Sequence, residues 1–350
     1  MKHFLNYFLL ILIFHGISNS QRIDLRDIEF YDSSIGLAVG QPGIILRTPN
    51  GGNQWDTMPS GTTSALYSID IIGNKAFIAG DSGTILYSSD SGSTFEKKVS
   101  NTNTYLFSIM FPNPKIGFAV GRNGVIIKSI DSGYSWNIVN SGVLSNLLSI
   151  YFPAIDTGYI ACVDGSILRS IDTGNSWIQM ATNNTNGLGS VYFVNSLLGY
   201  AVGSRATIVK TIDGGISWQG LPNGGGTTLF NSVHFLNKDT GFVTGYARVI
   251  YKTTDGGQNW RLHYPNNSPS IWTMLYGIYF TDIFTGYIVG DSGAVFKTVD
   301  GGEIWNRQYV LSIARYGKIK PKLIIGLTRG FIFNGKYYNF NGRIIRENKP

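Results

Sequence analysis

The chain has 350 residues, of which 14% are charged, 44 are Gly and 40 are Tyr or Phe. That composition excludes a helical bundle and suits many short strands joined by tight turns. The net charge of +7 is not spread along the chain: residues 311–350 carry +8 and the rest −1, so no nucleic acid partner is expected for the main body.

At the N-terminus, Lys2 and His3 precede an apolar run from Phe4 to Phe14, with Ser18 and Ser20 at the −3 and −1 positions of a cleavage site. Residues 1–20 therefore read as a secretory signal peptide. The run is short for a bilayer span and nothing later approaches that length, so no transmembrane segment is expected after cleavage. The product is expected to be exported, to the periplasm, cell surface or medium. Cys162 is the single cysteine, so stability is expected to come from burial and not from a disulfide.

From about Ile23 to Trp305 one phrase recurs seven times, Ser/Thr-x-Asp-x-Gly-x-Ser/Thr-Trp. Its acidic or amide positions are Asn50, Asp90, Asp131, Asp172, Asp213, Asp255 and Asp300, in steps of 40, 41, 41, 41, 42 and 45 residues. A period of that size built from short apolar runs signals a radial β architecture, one blade per copy. Each repeat holds four runs, here strands A to D. Run A resembles Leu106-Phe107-Ser108-Ile109, run B Gly117-Phe118-Ala119-Val120-Gly121, run C Gly124 to Ser129, and run D starts at the phrase's Trp. The prediction is all-β: a seven-bladed β-propeller of four-stranded antiparallel blades over 21–310, then a basic non-repeat tail over 311–350. Within the tail, Leu323-Ile324-Ile325 and Phe331-Ile332-Phe333 each have strand character.

These motifs resemble the Asp-box, or bacterial neuraminidase, repeat. The richer form, Gly-aromatic-Ala-Val-Gly followed by Lys-Thr-x-Asp-Gly-Gly-x-x-Trp, is similar to that of the photosystem II stability/assembly-factor family of seven-bladed propellers. Departures are Asn50 for Asp, Phe95 for Trp, and Gln54, Asn259 and Ile304 at the hydroxyl position. The resemblance implies a non-enzymatic scaffold that binds a protein, and it fixes fold better than function.

The phrase falls in the C–D turn, where Asp accepts turn N–H groups and Gly takes positive φ. Its acids are thus expected to be structural. Variable chemistry belongs on the opposite face, built from B–C turns and D–A connections. There Arg122, Arg205 and Arg248 occupy turns of blades 3, 5 and 6 and suit acidic groups on a partner. Tyr246 shares a turn with Arg248. Tyr264 and Trp272 lie in the long connection from Arg261 to Met274, and Trp272 is the one Trp that the repeat does not require.

Two further readings stay open: a glycoside hydrolase using a pair among Asp81, Asp164 and Asp291, and a glycan-binding module without catalysis. No catalytic residue, metal site or cofactor is indicated, because His234 and His263 have no visible partners and Cys162 occupies a repeat glycine position. The expected molecule is monomeric, with a protein partner or, as the alternative, a glycan.

Overall fold

The structure, a computed structural model, describes residues 23–182, 184–222, 226–268, 270 and 273–308, and the backbone of 331–333, 336–338 and 344–347. Residues 1–20, Leu323-Ile324-Ile325 and Trp272 lie outside the described residues.

Residues 24–308 form seven four-stranded antiparallel sheets, each made of strands consecutive in sequence. Blade 1 consists of Asp24–Phe30, Gly36–Gln41, Ile44–Thr48 and Asp56–Met58 as strands A to D. The A strands of blades 2 to 7 are Leu66–Ile72, Leu106–Met110, Leu147–Ala154, Leu188–Phe193, Phe230–Phe235 and Leu275–Phe280. The seven-bladed propeller is the observed architecture. Contacts divide the chain into Met1–Leu311 and Ser312–Pro350. In the second unit Phe331–Phe333, Lys336–Tyr338 and Ile344–Glu347 make a three-stranded antiparallel sheet.

Among the described residues the core is distributed over seven clusters, each straddling the seam between two adjacent blades. One of them joins Leu25, Ile28 and Trp55 of blade 1 to Tyr287, Val289 and Val295 of blade 7. Blades 7 and 1 therefore close the ring by packing, with every blade keeping its own four strands. A single blade could not bury both of its faces, so the stability of each depends on its neighbours.

The repeat's glycines serve close packing. The Gly opening strand B lies under the aromatic ring that ends strand A: a Cβ at Gly36 would stand 2.5 Å from the Phe30 ring, and Gly241 is placed likewise under Phe235. The Gly four residues after the Ser or Thr that opens each C–D turn faces strand B of the preceding blade. At Gly133, with φ +79, a Cβ would meet Phe77 at 2.5 Å.

In each copy the turn's own Ser or Thr hydroxyl accepts the N–H four residues on, at 2.8–3.0 Å. The Asp or Asn Oδ1 accepts the backbone N–H four residues beyond itself, at 2.9–3.0 Å. Where a hydroxyl follows, it donates to the second oxygen, as Ser135 does to Asp131 at 2.6 Å. Gln54 and Ile304 make no such bond. The acids thus lock their own turns, while the seam is bridged by other groups. Tyr287 Oη and Lys297 Nζ of blade 7 both donate to Gly51 O of blade 1, at 2.8 and 2.6 Å. Tyr200 and Lys210 repeat this on Gly256 O, at 3.0 and 2.9 Å.

Candidate partner-binding face

Backbone hydrogen bonds sort the connections into two faces. The C–D turn bonds the A–B turn of its own blade, as in Ser132 N to Lys115 O and Gly301 N to Phe284 O. The B–C turn bonds the incoming D–A connection, as in Arg122 N to Tyr105 O and Tyr246 N to Leu229 O. The site expected from the sequence therefore lies on the face opposite the Asp-boxes.

Of the expected residues, the structure brings two together: the Arg248 guanidinium lies over the Tyr264 ring at 5.4 Å. Their loop is held down by Asn266 N donating to Trp305 O, 2.8 Å, and by Arg248 N donating to Thr273 O, 2.7 Å. Arg122 is exposed and stands 5.7 Å over Tyr105. Arg205 is exposed at φ +55, and Tyr246 is 38% exposed. The three arginines occupy the first, second and third positions of their turns, not one equivalent position. Among the described residues no hydrogen bond or ion pair joins any two of them.

The acids on this face serve turns. Asp164 accepts the N–H and hydroxyl of Ser166, at 3.0 and 2.7 Å. Burial opposes its ionisation, but those bonds outweigh it and hold the carboxyl below its ordinary range. Asp291 accepts Met274 N at 3.2 Å, and Asp81 accepts the Ser82 hydroxyl at 3.1 Å. Cys162 is fully buried and its thiol is pushed up to about 12 by burial. His234 is shut into the ring of strand A side chains between Tyr192 and Tyr279, and burial lowers it to about 4. Among the described residues no three His, Cys, Asp or Glu side chains form a metal site.

One group of residues escaped the sequence reading. In every blade the A–B ladder skips a residue near the start of strand A. Such a β-bulge re-aims the extra side chain. The bulged residues are Arg26, Tyr67, Phe107 and Leu148 in blades 1 to 4, then Gly189, Asn231 and Tyr276. All seven line a cavity of about 360 Å³ at the mouth of the central channel. Beneath them in the same wall come Asp27, Ser68, Ser108, Ser149, Ser190, Ser232 and Gly277. Several of these tether the next blade, as Ser149 Oγ accepts Val191 N at 3.2 Å and Asp27 accepts Ile69 N at 3.0 Å. Two residues deeper, Glu29 accepts Ile71 N and Asp70 accepts Phe111 N, at 2.9 and 3.0 Å. Burial raises Asp27 to about 6 and Asp70 to about 7, and burial with the Asp70 and Asp27 charges keeps Glu29 well above its usual range.

Fold and boxes together define a seven-bladed Asp-box propeller with a loop-built face around an open channel mouth. The family model for the photosystem II assembly factor YCF48 matches residues 16–102, 60–130 and 170–270, more than half of the chain. The chain belongs to that family. It is 33% identical over 75 residues to the photosystem II assembly lipoprotein Ycf48 of Synechococcus sp. strain CC9902, a stretch covering 20% of this chain and 22% of that relative. A solved structure of YCF48 bound to a D1 peptide superposes with a TM-score of 0.68 at 17% identity, over 79% of this chain and 92% of that one. The GH74 enzyme of Niastella koreensis shares the fold at TM-score 0.69 and 14% identity, over 81% of this chain and 54% of the enzyme.

Proposed function

We propose that this protein is an exported, non-enzymatic propeller that holds another protein through its loop face, as an assembly or stability factor for an envelope or membrane complex. Family membership supports the scaffold role, and a relative solved with a bound peptide shows that such a propeller can hold a polypeptide. The lipoprotein designation of the Synechococcus relative agrees with an exported, membrane-associated setting. The carrying observation is that side chains beyond the repeat's needs gather on this face, with Arg248 on Tyr264 and Arg122 on Tyr105. Guanidinium groups set over partly exposed rings present planar donors to carboxylates at low ordering cost.

The test is the triple variant Arg122/Arg205/Arg248→Ala in a pull-down from the native envelope. Weaker capture of the partner and a shallower salt dependence are expected. Unchanged capture with unchanged salt dependence would remove these arginines from the interface.

A further inference from the structure

The mouth of the channel holds an arginine, Arg26, that no described carboxylate pairs. Arg26 sits at a bulge, its guanidinium stacked 3.9 Å from the Tyr276 ring. Its Nε is buried without a hydrogen-bond partner, and no described carboxylate forms an ion pair with it. The neighbouring acids are otherwise engaged. Asp24 accepts Gln41 Nε2 and Ser292 N, at 2.9 and 3.0 Å, and Asp27 accepts Ile28 N and Ile69 N. A buried unpaired donor on a charged group carries a desolvation cost that an incoming acceptor removes. Beside it an aromatic track leads outward across blades 2 and 3: Tyr67 is 5.6 Å from Phe107 and 6.4 Å from Tyr105. All three rings are partly exposed.

We propose that this bulge ring is a docking site for an acidic side chain of an extended partner segment, its carboxylate on Arg26 and an adjacent apolar side chain on the Tyr67–Phe107 track. The inference rests on the protein-binding reading of the loop face. The donors select the depth: below Arg26 the wall carries Asp27, Glu29 and Asp70, whose oxygens already accept backbone N–H groups and offer a carboxylate no cationic partner, so it stops at the mouth. The track selects a continuous segment over a chain end, because it runs outward along the face to Arg122.

The probe is the acetylated and amidated peptide Ala-Leu-Glu-Phe-Ala, titrated against the full chain while the arginine Nε–Hε resonances are followed by NMR. A saturable shift of the Arg26 signal is expected with the Glu peptide. Binding should weaken at least about tenfold with the Gln peptide, in Arg26→Lys, and in Phe107→Ala. Absence of any saturable shift up to about 10 mM overturns the site. Equal binding of an Ala-Leu-Gln-Phe-Ala peptide with a free carboxyl terminus overturns the side-chain assignment. If Arg26→Lys does not fold, Phe107→Ala alone decides, since unchanged affinity there removes the track. A partner captured equally by wild type and Arg26→Lys would defeat this inference and leave the scaffold reading standing. Peptide binding without any captured partner would do the reverse.

Discussion

At the residue scale, the same acid performs two tasks according to where the repeat places it. In the boxes, Asp90 and Asp172 are lowered to about 2, first by the hydroxyls of Thr94 and Ser176. Their folded state prefers the carboxylate, so this stabilisation is present above the ordinary carboxylate range and is lost as pH falls toward 2. In the channel, Asp27 and Asp70 prefer the neutral acid, so stability falls as pH rises from about 4 to about 7. Thermal unfolding should therefore show a less stable protein at pH 8 than at pH 5. Asp70→Asn, whose amide oxygen can still accept Phe111 N, should gain on the order of 1–2 kcal/mol at pH 8 and little at pH 4. A variant less stable than wild type at pH 8 would show that the ionised carboxylate supports the fold. Ser129→Ala should cost about 1–3 kcal/mol in chemical denaturation, because it strips the buried N–H of Gly133 of its acceptor.

At the element scale, the blade was legible because its constraints each recur in at least six of the seven blades. The Phe-over-Gly contact, the turn acids and the box Trp each leave a fixed spacing that no single blade could establish. Trp136 is fully buried, edge-on to Phe111 at 5.7 Å, so Trp136→Ala should cost about 3–5 kcal/mol, measurable as a lower denaturation midpoint. The bulge ring was not legible. A one-residue register shift leaves no mark in the alternation of Leu106-Phe107-Ser108-Ile109, where Phe107 reads as one more apolar strand residue. Arg26, between Leu25 and Asp27, and Tyr67, between Leu66 and Ser68, occupy the same slot with different chemistry, so no residue type marks it. The three turn arginines and their unequal turn positions were legible in the sequence, but not the contact of Arg248 with Tyr264 of the following D–A connection.

At the scale of the whole molecule, ring closure by packing makes the seam between blades 7 and 1 one seam among seven. The double variants Tyr287→Phe/Lys297→Met and Tyr200→Phe/Lys210→Met each leave one Gly carbonyl without its two donors. Their denaturation free energies should agree within about 1 kcal/mol, with each pair of substitutions non-additive. A much larger loss at the 7–1 seam would show that closure depends on more than the repeated contacts. The two faces differ in what they expose. The box face carries Ile130, Ile171, Ile212 and Val299, all 59–73% exposed at equivalent turn positions. The loop face carries Tyr246, Tyr264 and the arginines. The most direct measurement is photo-crosslinking in the native envelope, with a benzophenone amino acid placed at Tyr246, Tyr264 or Ile171. The account predicts one protein adduct shared by the Tyr246 and Tyr264 positions and none from Ile171. An adduct from Ile171 alone would contradict it.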